Sequence, residues 1–210
     1  IRQQGTEGRM GQRLLAVVLS TEKDGKAYRI ANPEDLRVFE TAQKRLNKTL
    51  EDLRDYFVVG DSPLNPLPDE PINVADKRNF WVGEYGPNTW GQLFNPRQAL
   101  ALVTFAKWVR EAHAEMLKVG MDEEWARGVS TYIAIGVDRI TDRSTTLCRW
   151  DNTSESLMNT FARQALPMVW DFSEANPLSE LTGGWPSALE WVIRVIEHAS
   201  DAAISGGVVL

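Results

Sequence analysis

Apolar residues recur every three or four positions in five stretches of the chain, which is the spacing of a helix with one buried face. Four of these stretches follow an Asn or Asp that can cap a helix, and the fifth begins at Pro186. The pattern predicts helices over about 33–47, 96–118, 123–140, 152–166 and 186–203. Pro167 predicts a kink or a break where the fourth helix ends.

The pattern changes at the N-terminus and again in the middle of the chain. Two short apolar runs, 13–20 and 27–30, flank Asp24-Gly25, and this pair is typical of a type I′ turn. We therefore expect a β-hairpin. Six of the ten prolines fall between Gly60 and Pro96, and they predict a crossing loop that docks on the helices through its aromatic residues. Within it, 79–85 predicts a short strand.

These elements predict a mainly α (α+β) fold: a bundle of about five helices with an N-terminal β-hairpin and a long Pro-rich crossing loop. A length of 210 residues fits one domain over 1–210. Its parts are a hairpin lead over 1–31, the Pro-rich loop over 60–95 and a helical core over 95–203. The last six residues, SGGVVL, resemble the beginning of a strand.

Composition narrows the classes of function. A net charge of -6 gives no overall attraction to a polyanion, so any contact with nucleic acid needs a local basic patch. The one cysteine, Cys148, leaves no internal disulfide and favours a reducing, cytoplasmic location. No apolar run is long enough to span a bilayer. Neither a phosphate-binding loop nor a nucleophile beside a histidine is recognisable, so we assign no catalytic residue and no metal ligand.

Polar residues are concentrated between Thr131 and Phe172, among the apolar positions of the predicted core. Asp138 and Asp142 are four apart, as are Arg139 and Arg143. One interpretation is an exposed intrahelical pair between Arg139 and Asp142, and the other is a network that faces a ligand or another domain. The candidate contact residues for DNA or another domain are Arg97, Gln98, Asp138, Arg139, Asp142, Arg143, Arg149, Trp150, Arg163 and Gln164. For Arg97 and Gln98, helix capping is the alternative.

Three segments carry a resemblance to a known family: WGQLFNPRQALALVTFAKWV (90–109), YIAIGVDRITDRSTTLCRWD (132–151) and FARQALPMVWDFSEANPL (161–178). In this order they resemble the large bacterial and archaeal adenine-specific DNA methylases that have a zinc ribbon and carry domain of unknown function 1156. The resemblance extends from about Gly11 to the end. It implies a parent protein that uses S-adenosylmethionine to methylate adenine N6 in DNA, in the setting of restriction or phage defence.

The chain departs from that family where catalysis would occur. Asp61-Ser62-Pro63-Leu64 lacks the second proline and the aromatic residue of a DPPY motif, and neither an FxGxG cofactor loop nor zinc-ribbon cysteines are present. No catalytic residue can therefore be carried over, and the resemblance implies a helical internal fragment that is inactive alone and binds no cofactor. Its implied partners are DNA, the remainder of the methyltransferase and defence-system proteins. The alternative is a structural or protein-interaction module that makes no DNA contact and associates through the aromatic loop 81–90.

Overall fold

The structure, a computed structural model, describes residues 1–21, 25–76 and 78–204. These residues form five α-helices: α1 (Arg2–Thr6), α2 (Pro33–Asp52), α3 (Pro96–Lys118), α4 (Glu123–Thr141) and α5 (Trp185–Ile204). The mainly α fold class is confirmed. Helix α2 runs five residues beyond its predicted end, and α1 was not predicted.

Within the described ranges, six short strands pair locally into three antiparallel ribbons. They are β1 (Ala16–Thr21), β2 (Gly25–Ile30), β3 (Val58–Val59), β4 (Ser62–Pro63), β5 (Trp150–Asp151) and β6 (Ser156–Leu157). The first ribbon confirms the predicted hairpin, with Ala16 opposite Ile30 and Thr21 opposite Gly25. Asp24 of its predicted turn lies outside the described residues, and so does the predicted strand start at 205–210.

The start signals of the long helices act as the sequence predicts. The side chain of Asn32 accepts the N–H of Asp35, whose carboxylate accepts the N–H of Asn32 in return, and this capping box opens α2. Asn95 and Gln98 form the same reciprocal pair at the start of α3. Such caps satisfy main-chain donors that the first turn of a helix leaves without partners.

The predicted helix over 152–166 is wrong. Asp151 accepts hydrogen bonds from the N–H of Thr153 and the hydroxyl of Ser154, so the capping residues form a turn between β5 and β6. Glu155 has a φ of 45°, which a right-handed helix does not allow. After Leu157 the chain stays irregular through to α5. The sequence 131–172 therefore contains one helix, not two.

The first apolar cluster lies outside the long helices. Ile72, Val82 and Leu93 come from the Pro-rich loop, and they pack with Leu147 and Leu166 from the irregular segment 142–184. The predicted strand over 79–85 is wrong, because Trp81–Tyr85 is a 3₁₀ helix that buries Val82. The loop does dock, but in this cluster its partner is an irregular segment and not a helix.

The long helices pack in series, with α3 against both α2 and α4, and α5 against α4. The second cluster joins the end of α2 to α3 through Leu53, Phe57 and Val103. Trp185, the first residue of α5, stacks on Phe105 of α3. Within the described ranges, none of the helices combines the length and apolarity that crossing a membrane would need.

Candidate functional site

Arg97, in the first turn of α3, is committed to the fold. Its Nε and Nη2 donate to the two carboxylate oxygens of Glu174 at 3.1 and 2.8 Å. Its guanidinium also lies over the ring of Phe39, 5.2 Å from the centroid. Both side chains of the ion pair are mostly buried, at 25% and 20% exposure. Arg97 therefore ties α2, α3 and the segment before α5 together, and it is not free to bind DNA.

Gln98 is also structural, which confirms the capping alternative for this residue. It is 4% exposed, and its side-chain oxygen accepts the N–H of Asn95 at 2.9 Å. The amide nitrogens Nε2 of Gln98 and Nδ2 of Asn95 are buried and have no hydrogen-bond partner within the described part of the chain. We assign this pair no ligand.

Asp142 and Arg143 join the end of α4 to the irregular segment that follows. The Asp142 carboxylate accepts the N–H of Phe161 at 2.9 Å and the side-chain amide of Asn159 at 3.0 Å. Arg143 donates through Nη1 to the carbonyl of Leu157 at 3.0 Å. Both residues are partly buried. Their hydrogen bonds therefore link the end of α4 to residues 157–161.

Asp138 and Arg139 are exposed near the end of α4. The guanidinium of Arg139 lies over the ring of Trp191 on α5, 5.5 Å from the centroid. A cation in this position stabilises the ring contact by about 0.5–1 kcal/mol at an exposed site. The predicted pair between Arg139 and Asp142 is wrong, because Asp142 bonds to Asn159 and Phe161 while Arg139 turns to the neighbouring helix.

Arg149 and Trp150 lie where two ribbons meet. Trp150 packs edge-to-face against Tyr28, and Lys26 lies over the indole at 5.6 Å while it donates to the carbonyl of Glu155. Loss of solvent, followed by the charge of Glu155, raises the pKa of Tyr28. The N–H of Thr153 and the hydroxyl of Ser154 lower the pKa of Asp151. Arg149 itself is exposed.

Arg163 and Gln164 lie on a groove of about 340 Å³, which we call the Phe161 groove. One side is formed by Asn79, Phe80 and Trp90, and the other by residues 161–166. Phe80 and Trp90 meet edge-to-face, with ring centroids 6.2 Å apart, and both are partly buried. Phe161 is 57% exposed. The groove is thus mostly apolar with polar side chains at its edge.

Sequence reasoning missed the aromatic half of this groove. Phe161 falls within the helix predicted over 152–166, and Phe80 and Trp90 fall within the Pro-rich loop predicted to dock through its aromatic residues. No local signal in either segment marks the groove. The pairing of that loop with 161–166 is a long-range contact that neither segment encodes alone.

A second feature that sequence reasoning missed is a buried cluster of hydroxyl groups and a thiol. The hydroxyls of Thr145 and Thr160 are 2.8 Å apart, and Cys148 Sγ lies 3.4 Å from that of Thr160. Cys148 is fully buried, and its thiol lies 3.7 Å from the carbonyl of Asp142. These contacts join residues 142–148, directly after α4, to Thr160 further along the same segment. The only cysteine of the sequence therefore has a structural role.

The ten predicted residues thus fall into two groups. Arg97, Gln98, Asp142 and Arg143 hold the fold. The others are exposed or partly exposed and can bind a partner: Asp138, Arg139, Arg149, Trp150, Arg163 and Gln164. Across 1–21, 25–76 and 78–204, no three His, Cys, Asp or Glu side chains come together as a metal site would require.

Comparisons with known proteins leave the resemblance as a prediction. No family model, no curated protein and no solved structure matches the chain.

Proposed function

We propose that the chain is a helical accessory region of a larger S-adenosylmethionine-dependent DNA adenine methyltransferase, in which it positions DNA or completes the catalytic domain. The cofactor and the catalytic motif belong to the rest of that protein in this proposal, and the chain alone transfers no methyl group. A role in restriction or phage defence, with DNA and defence proteins as partners, is part of the same proposal.

One observation supports it: the three segments that carry the resemblance form one connected body. Leu93, in the first segment, accepts both the N–H and the hydroxyl of Thr146 in the second, at 2.7 and 2.9 Å. Cys148, in the second, accepts the N–H of Ser173 in the third at 2.8 Å. These contacts make the resembling segments a unit of structure, as a shared domain requires.

Two exposed arginines support a role in contacting DNA phosphates. Arg139 and Arg149 are exposed near the two ends of the segment between α4 and β5. The net charge of -6 opposes DNA binding elsewhere, so binding through these cations should weaken steeply as salt rises. Each phosphate contact contributes about 0.9 to the slope of log K against log salt for duplex DNA.

The test is a salt titration of duplex binding by the chain and by the longer protein proposed to contain it. The double substitution Arg139→Ala/Arg149→Ala should lower the slope by about 1.8, which corresponds to two phosphate contacts. The control Lys118→Ala/Arg127→Ala removes two exposed cations elsewhere, with Arg127 about 18 Å along α4 from Arg139. Equal slopes for the two double variants would contradict the proposal.

A second candidate is a protein-interaction module, and exposed apolar side chains on α4 and α5 favour it. Trp125, Tyr132 and Trp191 are 73%, 46% and 53% exposed. In the aromatic loop 81–90, Trp81 is 55% exposed whereas Trp90 is partly buried, so the loop can contribute to the same role through Trp81. Under this candidate, Trp125→Ala would abolish association with a partner protein, and the arginine substitutions would leave DNA affinity unchanged.

A further inference from the structure

The Phe161 groove has sides that the main chain holds in place. Leu166 donates its N–H to the carbonyl of Asn79 at 2.6 Å, and Val82 donates to the carbonyl of Leu166 at 3.0 Å. These two bonds fix the spacing between the Pro-rich loop and segment 161–166. Asp142 holds Phe161 through its N–H at 2.9 Å, so the exposed ring lies on a fixed backbone. The groove is therefore built before any ligand arrives.

Its surface suits a flat apolar ring. Phe80 and Trp90 meet edge-to-face, and Phe161, from the other lining segment, is 57% exposed. A volume of about 340 Å³ lies at the lower end of the range for small-ligand sites. Aromatic side chains of this kind stack on nucleobases, and every base offers a planar face.

Polar groups at the edge add charge and hydrogen bonds. Arg163 and Gln164 are exposed on the groove, and Arg78 is exposed directly before Asn79. A guanidinium can bind a phosphate or stack on a base, and a side-chain amide can pair with the edge of a base. An apolar peptide could fill the groove, but it would give these arginines no counter-charge. A nucleotide supplies both a planar ring and a phosphate.

We propose that the Phe161 groove binds an unpaired nucleobase of a single-stranded nucleic acid, with the base against Phe161 and the adjoining phosphate on Arg163. This inference rests on the proposed function, since it names the form of nucleic acid that the region holds. It assigns the groove a different ligand from the duplex that Arg139 and Arg149 contact.

The test measures the binding of fluorescently labelled ten-nucleotide strands to the 210-residue chain by anisotropy. The strands are single-stranded DNA, single-stranded RNA, an abasic DNA strand and a DNA duplex of the same length. Phe161→Ala should weaken binding of the single strand about 10-fold, while the control Leu178→Ala, at a 78% exposed apolar residue, should not. Arg163→Ala should lower the single-strand salt slope by about 0.7.

Each outcome supports or overturns the inference. The abasic strand should bind the wild type as weakly as the normal strand binds Phe161→Ala, and the DNA and RNA arms identify the sugar that the site accepts. The groove is excluded if Phe161→Ala and Leu178→Ala bind the single strand equally, or if the abasic strand binds as tightly as the normal one. If circular dichroism shows that Phe161→Ala folds poorly, the test is the single-strand salt slope of Arg163→Ala, whose exposed position should leave the fold intact. An unchanged slope would then overturn the inference.

The two proposals can fail separately. Duplex binding that depends on Arg139 and Arg149, together with single-strand binding that ignores Phe161, would remove only the groove. If single-strand binding depends on Phe161 but duplex binding is unchanged by Arg139→Ala/Arg149→Ala, only the proposed duplex contact is contradicted.

Discussion

The carboxylate of Asp142 accepts the main-chain N–H of Phe161 at 2.9 Å, across nineteen positions of sequence. The second carboxylate oxygen accepts the side-chain amide of Asn159 at 3.0 Å. The main-chain carbonyl of Asp142 accepts the N–H of Thr160 at 2.7 Å. The C-terminal cap of α4 therefore fixes the start of the segment that forms one side of the Phe161 groove.

Removal of this carboxylate should destabilise the fold. Hydrogen bonds to a charged group contribute about 1.5–3 kcal/mol each, and Asp142 is partly buried. We expect Asp142→Ala to lower the free energy of unfolding by about 2–3 kcal/mol, measured by urea denaturation. Asp138→Ala, one helical turn earlier and exposed, should stay within about 0.5 kcal/mol of the wild type. Equal losses at both positions would show that the contacts to Phe161 and Asn159 contribute nothing.

The helix caps illustrate what the local sequence pattern could and could not predict. Asn95, Asp122 and Asn32 cap the helices that follow them because a cap acts over three residues, a range that a sequence displays directly. By the same rule, Asn152 should cap a helix. Its neighbour Asp151, however, bonds to Thr153 and Ser154 and turns the chain into a ribbon instead.

Apolar spacing failed in the same segment for a related reason. Leu157 and Leu166 are buried, but Phe161 is exposed, and the N–H of Leu166 donates to the carbonyl of Asn79 rather than to a helical carbonyl. Packing against a loop more than eighty positions away decided the structure, and long-range contacts routinely override local preference. The same limit applies to the predicted site. Helical spacing placed Asp142 beside Arg139, but it could not show that Asp142 accepts the N–H of Phe161.

Two glycines within α4 should respond in opposite ways to alanine. Gly128 is exposed, and a Cβ there would meet nothing within 4 Å. Gly128→Ala should therefore raise the free energy of unfolding by about 0.5–1 kcal/mol, the helix preference of alanine over glycine. Gly136 is buried, and its Cβ would lie 3.0 Å from the indole of Trp185, which Phe105 holds by stacking.

Gly136→Ala should therefore lower the free energy of unfolding, because the crowded indole offsets the helix preference. Thermal unfolding of the two variants beside the wild type is the measurement. A stabilised Gly136→Ala protein would mean that Trp185 can move aside. A destabilised Gly128→Ala protein would mean that this face of α4 is covered by something in solution, which bears on the interaction candidate.

The paired guanidinium and carboxylate of Arg97 and Glu174 should show measurable coupling. Two parallel hydrogen bonds in a mostly buried setting are stronger than an exposed ion pair, whose contribution is about 0–1 kcal/mol. A double-mutant cycle with Arg97→Ala and Glu174→Ala should give a coupling of about 1–2 kcal/mol. Arg127 and Glu124, an exposed pair at 3.9 Å, should give a coupling near zero in the matched cycle.

Replacement by lysine tests the geometry of that pair. Lysine keeps the charge of Arg97 but loses the fork that reaches both oxygens of Glu174 and the flat face that lies over Phe39. We expect Arg97→Lys to recover less than half of the stability that Arg97→Ala loses, measured by urea denaturation. Full recovery would show that charge alone matters at the start of α3.

Asp35 should give the fold a distinct response to acid. The hydrogen bond from Arg29, followed by the N–H of Asn32, lowers the pKa of Asp35 to about 2 from its ordinary 3.8. A carboxylate whose pKa is lowered by folding stabilises the native state above its unfolded pKa, and that contribution disappears as the carboxylate is protonated. The contribution is therefore complete above about pH 4 and is lost progressively as the pH falls towards 2.

The measurement compares the free energy of unfolding of the wild type and Asp35→Asn between pH 6 and pH 2. The difference between them should be constant above about pH 4 and should shrink below it, because the variant has no carboxylate to protonate at this position. A difference for Asp35→Asn that does not change across this range would mean that the ion pair between Arg29 and Asp35 does not stabilise the folded chain in solution.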